Sequence, residues 1–192
     1  MDDLFDEHEV IYPRSPKDFS VVEIPKKVAA EVYRRHHYFG EKDFLNLYSY
    51  GAVYGGYVLG AISFGIPNAK NIKGVYTSDE QKGVLEIVRL AFDDDSPKFS
   101  ESRLIGRSIR LLRKKYPLRI LITYADTAQS HVGTIYKATN FEYIGLTAKK
   151  TDFLWPDGKI RKEKGVKYSE MEGEWVPRSQ KHLFVKRFEE NA

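Results

Sequence analysis

The sequence predicts a single mixed α/β domain in which helices flank a central twisted sheet, and three observations support this fold class. Short apolar or alternating runs, which are typical of strands, lie at 47–54, 57–64, 84–92, 119–124, 141–145 and 182–188. Apolar residues at helical spacing lie at 24–37, 100–115 and 129–139. The order strand, helix, strand between residues 84 and 124 is typical of a crossover onto a parallel strand.

The first half of the chain begins with a helix and a hairpin. Pro25 suits the first position of a helix, because that position needs no backbone N–H, and the helix is expected to end near Gly40. Gly55 and Gly56 separate the first two predicted strands, and glycine readily takes the positive φ that a tight hairpin turn requires. The sheet is therefore expected to open with an antiparallel pair.

The C-terminal part contains a segment without clear periodicity. Pro156, Asp157 and Gly158 predict a turn, and residues 159–175 then mix charged and aromatic residues, which is typical of an insertion or a long hairpin. At the other end, residues 1–10 hold five acidic residues and no basic one. We therefore expect an acidic leader over 1–23 and one domain over 24–192, with a basic insertion at about 156–178.

Composition excludes several classes of protein. Of the 192 residues, 42% are hydrophobic, which is enough to fill a core and unlike a disordered chain. With no cysteine, there is no disulfide framework, no thiolate zinc site and no cysteine nucleophile. Apolar runs are shorter than the about 18 residues of a membrane span, and the N-terminus is acidic where a signal peptide is basic. The expectation is neither a membrane-spanning nor an exported protein.

Positive charge is concentrated in one stretch of the chain. The net charge is +4, but residues 11–192 alone contain 31 basic and 22 acidic residues and so carry +9. Four basic residues recur on one face of the helix at 100–115: Arg103, Arg107, Arg110 and Lys114. This ridge attracts polyanions, although charge alone does not distinguish DNA, RNA, a phosphate-bearing cofactor or a solvated face.

A glycine-containing motif lies on the same helix. Residues 103–108 read Arg-Leu-Ile-Gly-Arg-Ser, which fits the pattern [R/Q]-x-x-G-x-[G/A] except for Ser108. Free amides at a helix N-terminus bind pyrophosphate, and Gly106 would allow a close approach, so Arg103, Gly106, Arg107 and Ser108 are candidate cofactor-binding residues. The alternative is a glycine chosen for close packing of the helix on the sheet.

The order of elements and a second motif resemble the GNAT acyltransferases. Tyr136 to Phe141 matches the family's Tyr-x-x-x-[G/N]-Phe segment, in which the tyrosine commonly protonates the leaving thiolate. The resemblance implies a GNAT-like fold and acetyl-CoA or another acyl donor. One departure is the triplet Asp93-Asp94-Asp95 just before the helix, where negative charge would repel a pyrophosphate.

A closer resemblance covers most of the chain. Four separated segments are similar, in the right order, to the phage Mom DNA-modification family: His37-Tyr38, 86–90, 100–106, and 124–127 with the Gly133-x-x-Tyr136 that follows. The resemblance implies a DNA hypermodification enzyme that converts adenine in DNA to N6-carbamoylmethyladenine and protects phage DNA from restriction. It also implies a phage or prophage gene, and the cytoplasm of a bacterial host as the place of action.

Matched positions receive expected catalytic roles. Arg89 should face the opposite side of its strand from Val88 and Leu90, and would hold a carboxylate, a phosphate or a developing oxyanion, or else form a buried ion pair. Tyr136 is the expected proton donor or substrate-positioning hydroxyl, unless it packs on a helix face. Ser102 either caps its helix or hydrogen-bonds the donor, and Asp126 is the expected acid, base or orienting carboxylate.

Metal and DNA contacts complete the expectations. His37, Tyr38 and Asp126 are candidate iron ligands, and the alternative is that Asp126 orients His37 or a tyrosine. Double-stranded DNA would be held through its phosphates by Arg110 and Lys114, and by the insertion residues Lys159, Arg161 and Lys162. Tyrosines 48, 50, 54 and 57 with Phe64 offer stacking surface for a base, or belong to the core.

Two other functions fit the same residues. One is a CoA-dependent N-acetyltransferase of a small amine or protein, which acetyl-CoA would stabilise without DNA affinity. The other is a non-catalytic nucleic-acid binder, in which Tyr136→Phe and Arg89→Ala would change nothing in the cell. A homodimer is also left open.

Overall fold

Strand pairing organises most of the chain around one sheet. The computed structural model describes residues 10–37, 44–129, 132–161 and 165–189. Its strands are β1 (Ser20–Glu23), β2 (Tyr48–Tyr54), β3 (Tyr57–Gly65), β4 (Val84–Phe92), β5 (Ile120–Asp126), β6 (Glu142–Leu146), β7 (Lys150–Leu154), β8 (Glu174–Arg178) and β9 (Lys181–Arg187). Its α-helices are α1 (Lys26–His36), α2 (Ser100–Arg113) and α3 (Thr134–Ala138), and two 3₁₀ turns lie at Thr127–Gln129 and Tyr168–Glu170.

The central sheet has seven strands in the order β1-β2-β3-β4-β5-β9-β6. Its neighbours are antiparallel except β4 and β5, which are parallel and joined by the α2 crossover. The mixed α/β class and the opening hairpin, with Gly55 and Gly56 at positive φ, are confirmed. β1 lies in residues that we assigned to the leader, so the sheet begins before residue 24.

Helices cover both faces of the sheet. On one face, α1 buries Ala29, Val32 and Tyr33 against strand residues such as Ala61 and Ala91. On the other face, the apolar side of α2 packs on β2, β3 and β4. The segregation follows the helical period, because α2 places its apolar residues inward and its basic residues outward.

The helix expected over 129–139 is wrong in extent. The described chain instead has a 3₁₀ turn at Thr127–Gln129 and a short α-helix at Thr134–Ala138. Gly133 precedes this helix with a φ of 70°, a left-handed conformation that no helix interior contains. The chain therefore enters α3 through a sharp bend rather than through a continuous helix.

The segment without periodicity is a long hairpin. β7 and β8 pair antiparallel in a small second sheet, and the side chains of this hairpin form an aromatic cluster of Phe153, Trp155, Tyr168 and Trp175.

Among the described residues, none of the helices is both long and apolar enough to cross a membrane.

Two strands separate in the middle of the central sheet. The parallel pairing of β4 with β5 is limited to Val84–Glu86 against Ile120–Ile122. Beyond it, β4 continues with β3 as far as Phe92, while β5 continues with β9 as far as Asp126. The carboxyl ends of the two parallel strands therefore splay apart, and the gap becomes a cleft, which is where α/β sheets commonly bind ligands.

Candidate active site

The cleft between the splayed strands has a volume of about 550 Å³. Its walls are residues 86–92 of β4, Tyr124 and Ala125 of β5, residues 132–136 around α3, and Lys181 of β9. The end of α1 adds His36 and His37, and the entrance to α2 adds Asp94 and Glu101. Acids, bases and two tyrosines thus surround one space of a size that suits a small-molecule or nucleobase site.

Glu86 is a carboxylate with an unusual environment in this cleft. Burial raises the pKa of Glu86 from its ordinary 4.5 to about 7, and the positive charges of Lys181 and Arg89 oppose part of that rise. Burial raises the pKa of Tyr124 and of Tyr76, and the nearby Glu86 carboxylate raises both further. A carboxyl group with a pKa near neutrality is suited to accept or donate a proton.

Arg89 lies three residues further along β4 and also lines the cleft. The β3–β4 register shifts between Ser63, which pairs with Arg89, and Phe64, which pairs with Ile87. This irregularity puts Val88 with the apolar residues on the α1 face, where the Arg89 guanidinium lies 5.7 Å from the centre of the Phe44 ring. The expected alternation around Arg89 is therefore correct for Leu90 and wrong for Val88, because a bulge breaks the period of two.

A buried polar chain lies behind Arg89. The Tyr33 hydroxyl and Ser63 Oγ are 2.8 Å apart, Ser63 Oγ and Ser49 Oγ are 2.6 Å apart, and Asn46 Nδ2 donates to Ser49 Oγ at 2.9 Å. Burial raises the pKa of Tyr33, and the charge of Arg89 partly opposes this. These hydroxyls satisfy one another inside an apolar layer and so fix the strand on which Arg89 lies.

Asp126 is buried at the carboxyl end of β5, where its partners differ from those expected. Oδ1 accepts the backbone N–H of Ala128 at 3.0 Å, and Oδ2 lies 3.8 Å from Lys181 Nζ. Asp126 therefore holds the turn after β5 and faces Lys181. This lysine connects Asp126 with the Glu86 side of the cleft.

Tyr136 lines the cleft from α3 and packs on the core. Its ring centre lies 5.7 Å from Phe141 and 5.6 Å from Phe184. Asn140, in a left-handed conformation, turns the chain so that Phe141 returns onto Tyr136. The aromatic neighbours therefore hold the Tyr136 ring in place at the wall of the cleft.

Ser102 does not cap α2. The N-cap position is Phe99, in a left-handed conformation and without a side-chain cap hydrogen bond. The serine that stabilises this turn is Ser100, which is buried and donates from Oγ to the carbonyl of Pro97 at 2.7 Å. Ser102 itself lies in the first turn of the helix.

The glycine motif lies inside α2 rather than at its start. Because α2 begins at Ser100, Gly106 is well into the helix, where amides bond to carbonyls four residues earlier. Ser108 is fully buried in the core, and the acids Asp94 and Glu101 border the cleft at the helix entrance. Gly106 and Ser108 therefore present neither free amides nor an exposed hydroxyl to a pyrophosphate, and the cofactor-binding role of this motif stays a prediction.

The basic ridge of α2 borders a second groove. Arg103, Arg107, Arg110 and Lys114 line it together with Lys17 and the edge strand β1. Its volume is about 540 Å³, similar to that of the cleft. Arg103 donates from Nη2 to the carbonyl of Lys17 and lies over the Phe19 ring, so it faces this groove. The four ridge cations therefore line one groove, and the expected division between donor and DNA stays a prediction.

The β7–β8 hairpin offers less free positive charge than its sequence suggests. Arg161 bonds the Asp157 carboxylate at 2.7 Å and lies 4.6 Å from the centre of the Trp155 ring. Lys159 is exposed near the same turn, and Lys162 lies outside the described residues. Arg178 and Lys167 also pair with acids, Asp152 and Glu170.

The metal expectation finds no support in the described part of the chain. There, no three His, Cys, Asp or Glu side chains are grouped so that they could hold a metal ion. His37 borders the cleft, Asp126 is engaged by Ala128 and Lys181, and Tyr38 lies outside the described residues.

The aromatic residues of the β2–β3 hairpin have structural roles. Tyr50 and Phe64 are buried core residues, and Tyr48, Tyr54 and Tyr57 pack partly buried against the same core. They do not border the cleft in the described structure. For Tyr50 and Phe64 the second of the two expected alternatives, a place in the core, is therefore confirmed, and α2 covers their face of the sheet.

Two cleft residues were absent from the expected site. Glu86 belongs only to the matched segment 86–90 of the sequence analysis, and Lys181 is not among the residues expected there. A charged residue within the apolar run at 84–92 was the available signal for Glu86. Lys181 had no local signal, because only the β5–β9 register brings it opposite Asp126.

Comparison with solved structures supports the fold. The ribosomal-protein-S18-alanine N-acetyltransferase of Escherichia coli superposes with a TM-score of 0.55, covering 91% of this chain and 96% of that one at 11% identity. The putative acetyltransferase yncA of Salmonella typhimurium, solved with its cofactor acetyl-CoA, gives a TM-score of 0.55, 14% identity and coverage of 91% and 96%. At these identities the likeness extends to the fold alone, which is that of the GNAT acetyltransferases.

Comparison of sequences identifies the family. The methylcarbamoylase mom of Escherichia phage Mu is 28% identical over 148 residues, which are 74% of this chain and 59% of that protein. The chain thus spans about three fifths of the length of this curated relative. The model of the Mom protein family matches residues 18–191, which include β1 and every later described element. The chain therefore belongs to the Mom protein family.

Proposed function

We propose that this protein is a transferase that modifies the exocyclic amine of adenine in double-stranded DNA, converting it to N6-carbamoylmethyladenine. The observation that carries the proposal is the cleft, where Glu86, Arg89, Tyr136 and Lys181 surround a space fit for a nucleobase. Family membership and the name of the phage Mu relative support this choice of reaction. Protection of phage DNA from restriction is the corresponding biological role.

The reaction forms one N–C bond and releases one proton. The adenine amine attacks the methylene carbon of a carbamoylmethyl donor, the bond from that carbon to the leaving group breaks, and the leaving group takes the electron pair. One amine proton must then depart. Glu86 is the residue proposed to accept it, because a carboxyl group with a pKa of about 7 is substantially ionised at neutral pH and still basic enough to accept a proton.

Three other side chains share the remaining tasks. Arg89 borders the cleft on the same strand as Glu86 and is proposed to hold the carbonyl oxygen of the transferred group. Tyr136 is proposed to position the base or to protonate the leaving group. Lys181, opposite Asp126, keeps positive charge near Glu86 and limits the rise of its pKa.

The target adenine must leave the base stack of the duplex to reach these residues. An amine within a stacked base pair is inaccessible to a cleft, so the adenine must rotate out of the helix. The groove along Arg107 and Arg110 supports a role in binding phosphates of the same DNA, because it opens beside the helix that also contributes Glu101 to the cleft.

Expression in a bacterial host tests the proposal directly. Total DNA is digested to nucleosides and analysed by mass spectrometry, and we expect a new adenine nucleoside heavier by one carbamoylmethyl group. Arg89→Ala should abolish it, while Arg161→Ala, on the β7–β8 hairpin, should not. Normal nucleosides alone, from soluble and abundant protein, would contradict the proposal.

The alternative donor, acetyl-CoA, requires a separate measurement. Thermal unfolding is followed with acetyl-CoA, with a DNA duplex and with neither. We expect stabilisation by DNA and not by acetyl-CoA, because the acids at the entrance of α2 would repel the pyrophosphate of acetyl-CoA. Stabilisation by acetyl-CoA without DNA binding would favour an N-acetyltransferase instead, and would contradict the proposal.

A further inference from the structure

One exposed residue near the cleft has an unfavourable backbone conformation. Phe99 has a φ of 71°, in the left-handed region that bulky L-residues rarely adopt, and its side chain is 77% exposed. Both features oppose stability, because the backbone is strained and a large apolar ring faces water. Strain of this kind persists where surrounding contacts impose it, and it concentrates at functional sites.

The surroundings of Phe99 hold it in place. Ser100 is buried, and its Oγ and backbone N both bond the carbonyl of Pro97. On the other side, the N–H of Arg103 bonds the carbonyl of Phe99 itself at 3.1 Å. The turn is therefore fixed before and after the ring, which is presented outward on a rigid base.

Its location connects the two concave surfaces. Phe99 lies in the loop that leaves the carboxyl end of β4, between Asp94 and Glu101, which both border the cleft. Arg103, one helical turn later, borders the basic groove. Along the chain, Phe99 therefore lies between residues that border the cleft and residues that border the groove.

We propose that Phe99 is a wedge that inserts into the base stack of DNA and stabilises the duplex with its target adenine turned into the cleft. Apolar side chains that enter a base step unstack it, and phenylalanine and leucine are among the residues that do so. This inference rests on the proposed function for its substrate. It adds the residue that opens the duplex, which the cleft side chains do not supply.

Fluorescence of 2-aminopurine tests the wedge without any donor. Duplexes carry 2-aminopurine in place of adenine in several sequence contexts, and its emission rises when it is unstacked. We expect the full-length protein to raise the emission. With Phe99→Asn the increase in emission should be about tenfold smaller than with the parent, while the affinity for DNA changes much less. Phe99→Leu should retain most of the rise, because leucine is also an effective wedge.

Stability separates this role from a structural one. Asparagine tolerates the left-handed conformation, so Phe99→Asn should unfold at the same or a higher temperature than the parent. Ile66→Ala is the matched control, because Ile66 is also exposed but follows Gly65, which pairs with Glu86 at the opposite end of β4 from Phe99. It should change neither the emission nor the nucleosides formed in cells.

The outcomes distinguish the wedge from the reaction. A parent protein that leaves 2-aminopurine stacked, or a Phe99→Asn variant that unstacks it equally well, overturns the wedge. A parent that unstacks the base but forms no new nucleoside in the host contradicts the proposed reaction and leaves the wedge supported. Loss of both emission and modified nucleoside in Phe99→Asn, at unchanged stability, supports both.

Discussion

Lys181 and Asp126 face each other across the β5–β9 pair, with Nζ 3.8 Å from Oδ2. The same lysine borders the cleft, where its positive charge lowers the pKa of Glu86 against the effect of burial. One residue thus connects a buried carboxylate that holds a turn with a second carboxylate in the cleft.

Lys181→Met should move the pH dependence of modification to higher pH. Without the ammonium group, burial acts on Glu86 with less opposition, so its pKa rises further above about 7 and less carboxylate is present at neutral pH. The rate of nucleoside formation in host extract, measured from pH 6 to 9, checks this. A profile that falls equally at every pH would show that Lys181 does not act through Glu86.

Glu86→Gln should abolish modification and change the pH dependence of stability. The folded protein binds the Glu86 proton more tightly than the unfolded chain, so in the parent this group lowers stability as pH rises from about 4.5 to about 7. Glutamine does not titrate. The variant should therefore gain stability relative to the parent at pH 8 but not at pH 4, by on the order of 2 kcal/mol after allowance for partial exposure. Urea unfolding at both pH values measures the difference.

Gly106→Ala should stabilise the protein and leave modification intact. A Cβ at this position meets no atom within 4 Å, and alanine favours the helix interior by about 1 kcal/mol over glycine. The melting temperature should rise by roughly 2–4 °C. If modification falls while the melting temperature rises, Gly106 contributes to binding of the donor.

Gly133→Ala should be strongly destabilising. Its φ is 70°, and a Cβ would lie 2.2 Å from a ring carbon of Phe184, in the core that supports Tyr136. We expect the free energy of unfolding to fall by more than about 2 kcal/mol. Gly158→Ala is the control, because its φ is 74° and a Cβ there meets nothing within 4 Å. Equal destabilisation of the two variants in urea unfolding would mean that backbone strain alone, without the clash, determines the effect.

Arg107→Ala and Arg110→Ala should weaken DNA binding uniformly across sequences. Because each arginine that neutralises a phosphate releases a counterion, either substitution should reduce the slope of log affinity against log salt by about 0.9. Arg161→Ala, whose guanidinium already pairs with Asp157, should change the slope little. If Arg161→Ala reduces this slope and the two groove variants do not, the duplex binds to the β7–β8 hairpin instead.

Local patterns predicted most elements because they depend on neighbours in sequence. The strand at 84–92 agrees with β4 at both ends, and the helices at 24–37 and 100–115 agree with α1 and α2 to within two residues. The helix at 129–139 was wrong because Gly133 takes a left-handed conformation, in which a Cβ would collide with Phe184, about fifty residues away in sequence.

The sequence by itself determined the α/β class, the apolar and basic faces of α2 and the family, because periodicity, charge order and matched segments are properties of the chain alone. Only the tertiary structure decided the site. The early end of the β4–β5 pairing opens the cleft, and the β5–β9 register brings Lys181 opposite Asp126. The pKa of Glu86 depends on burial and on charges from different strands, and these exist only once the sheet has formed.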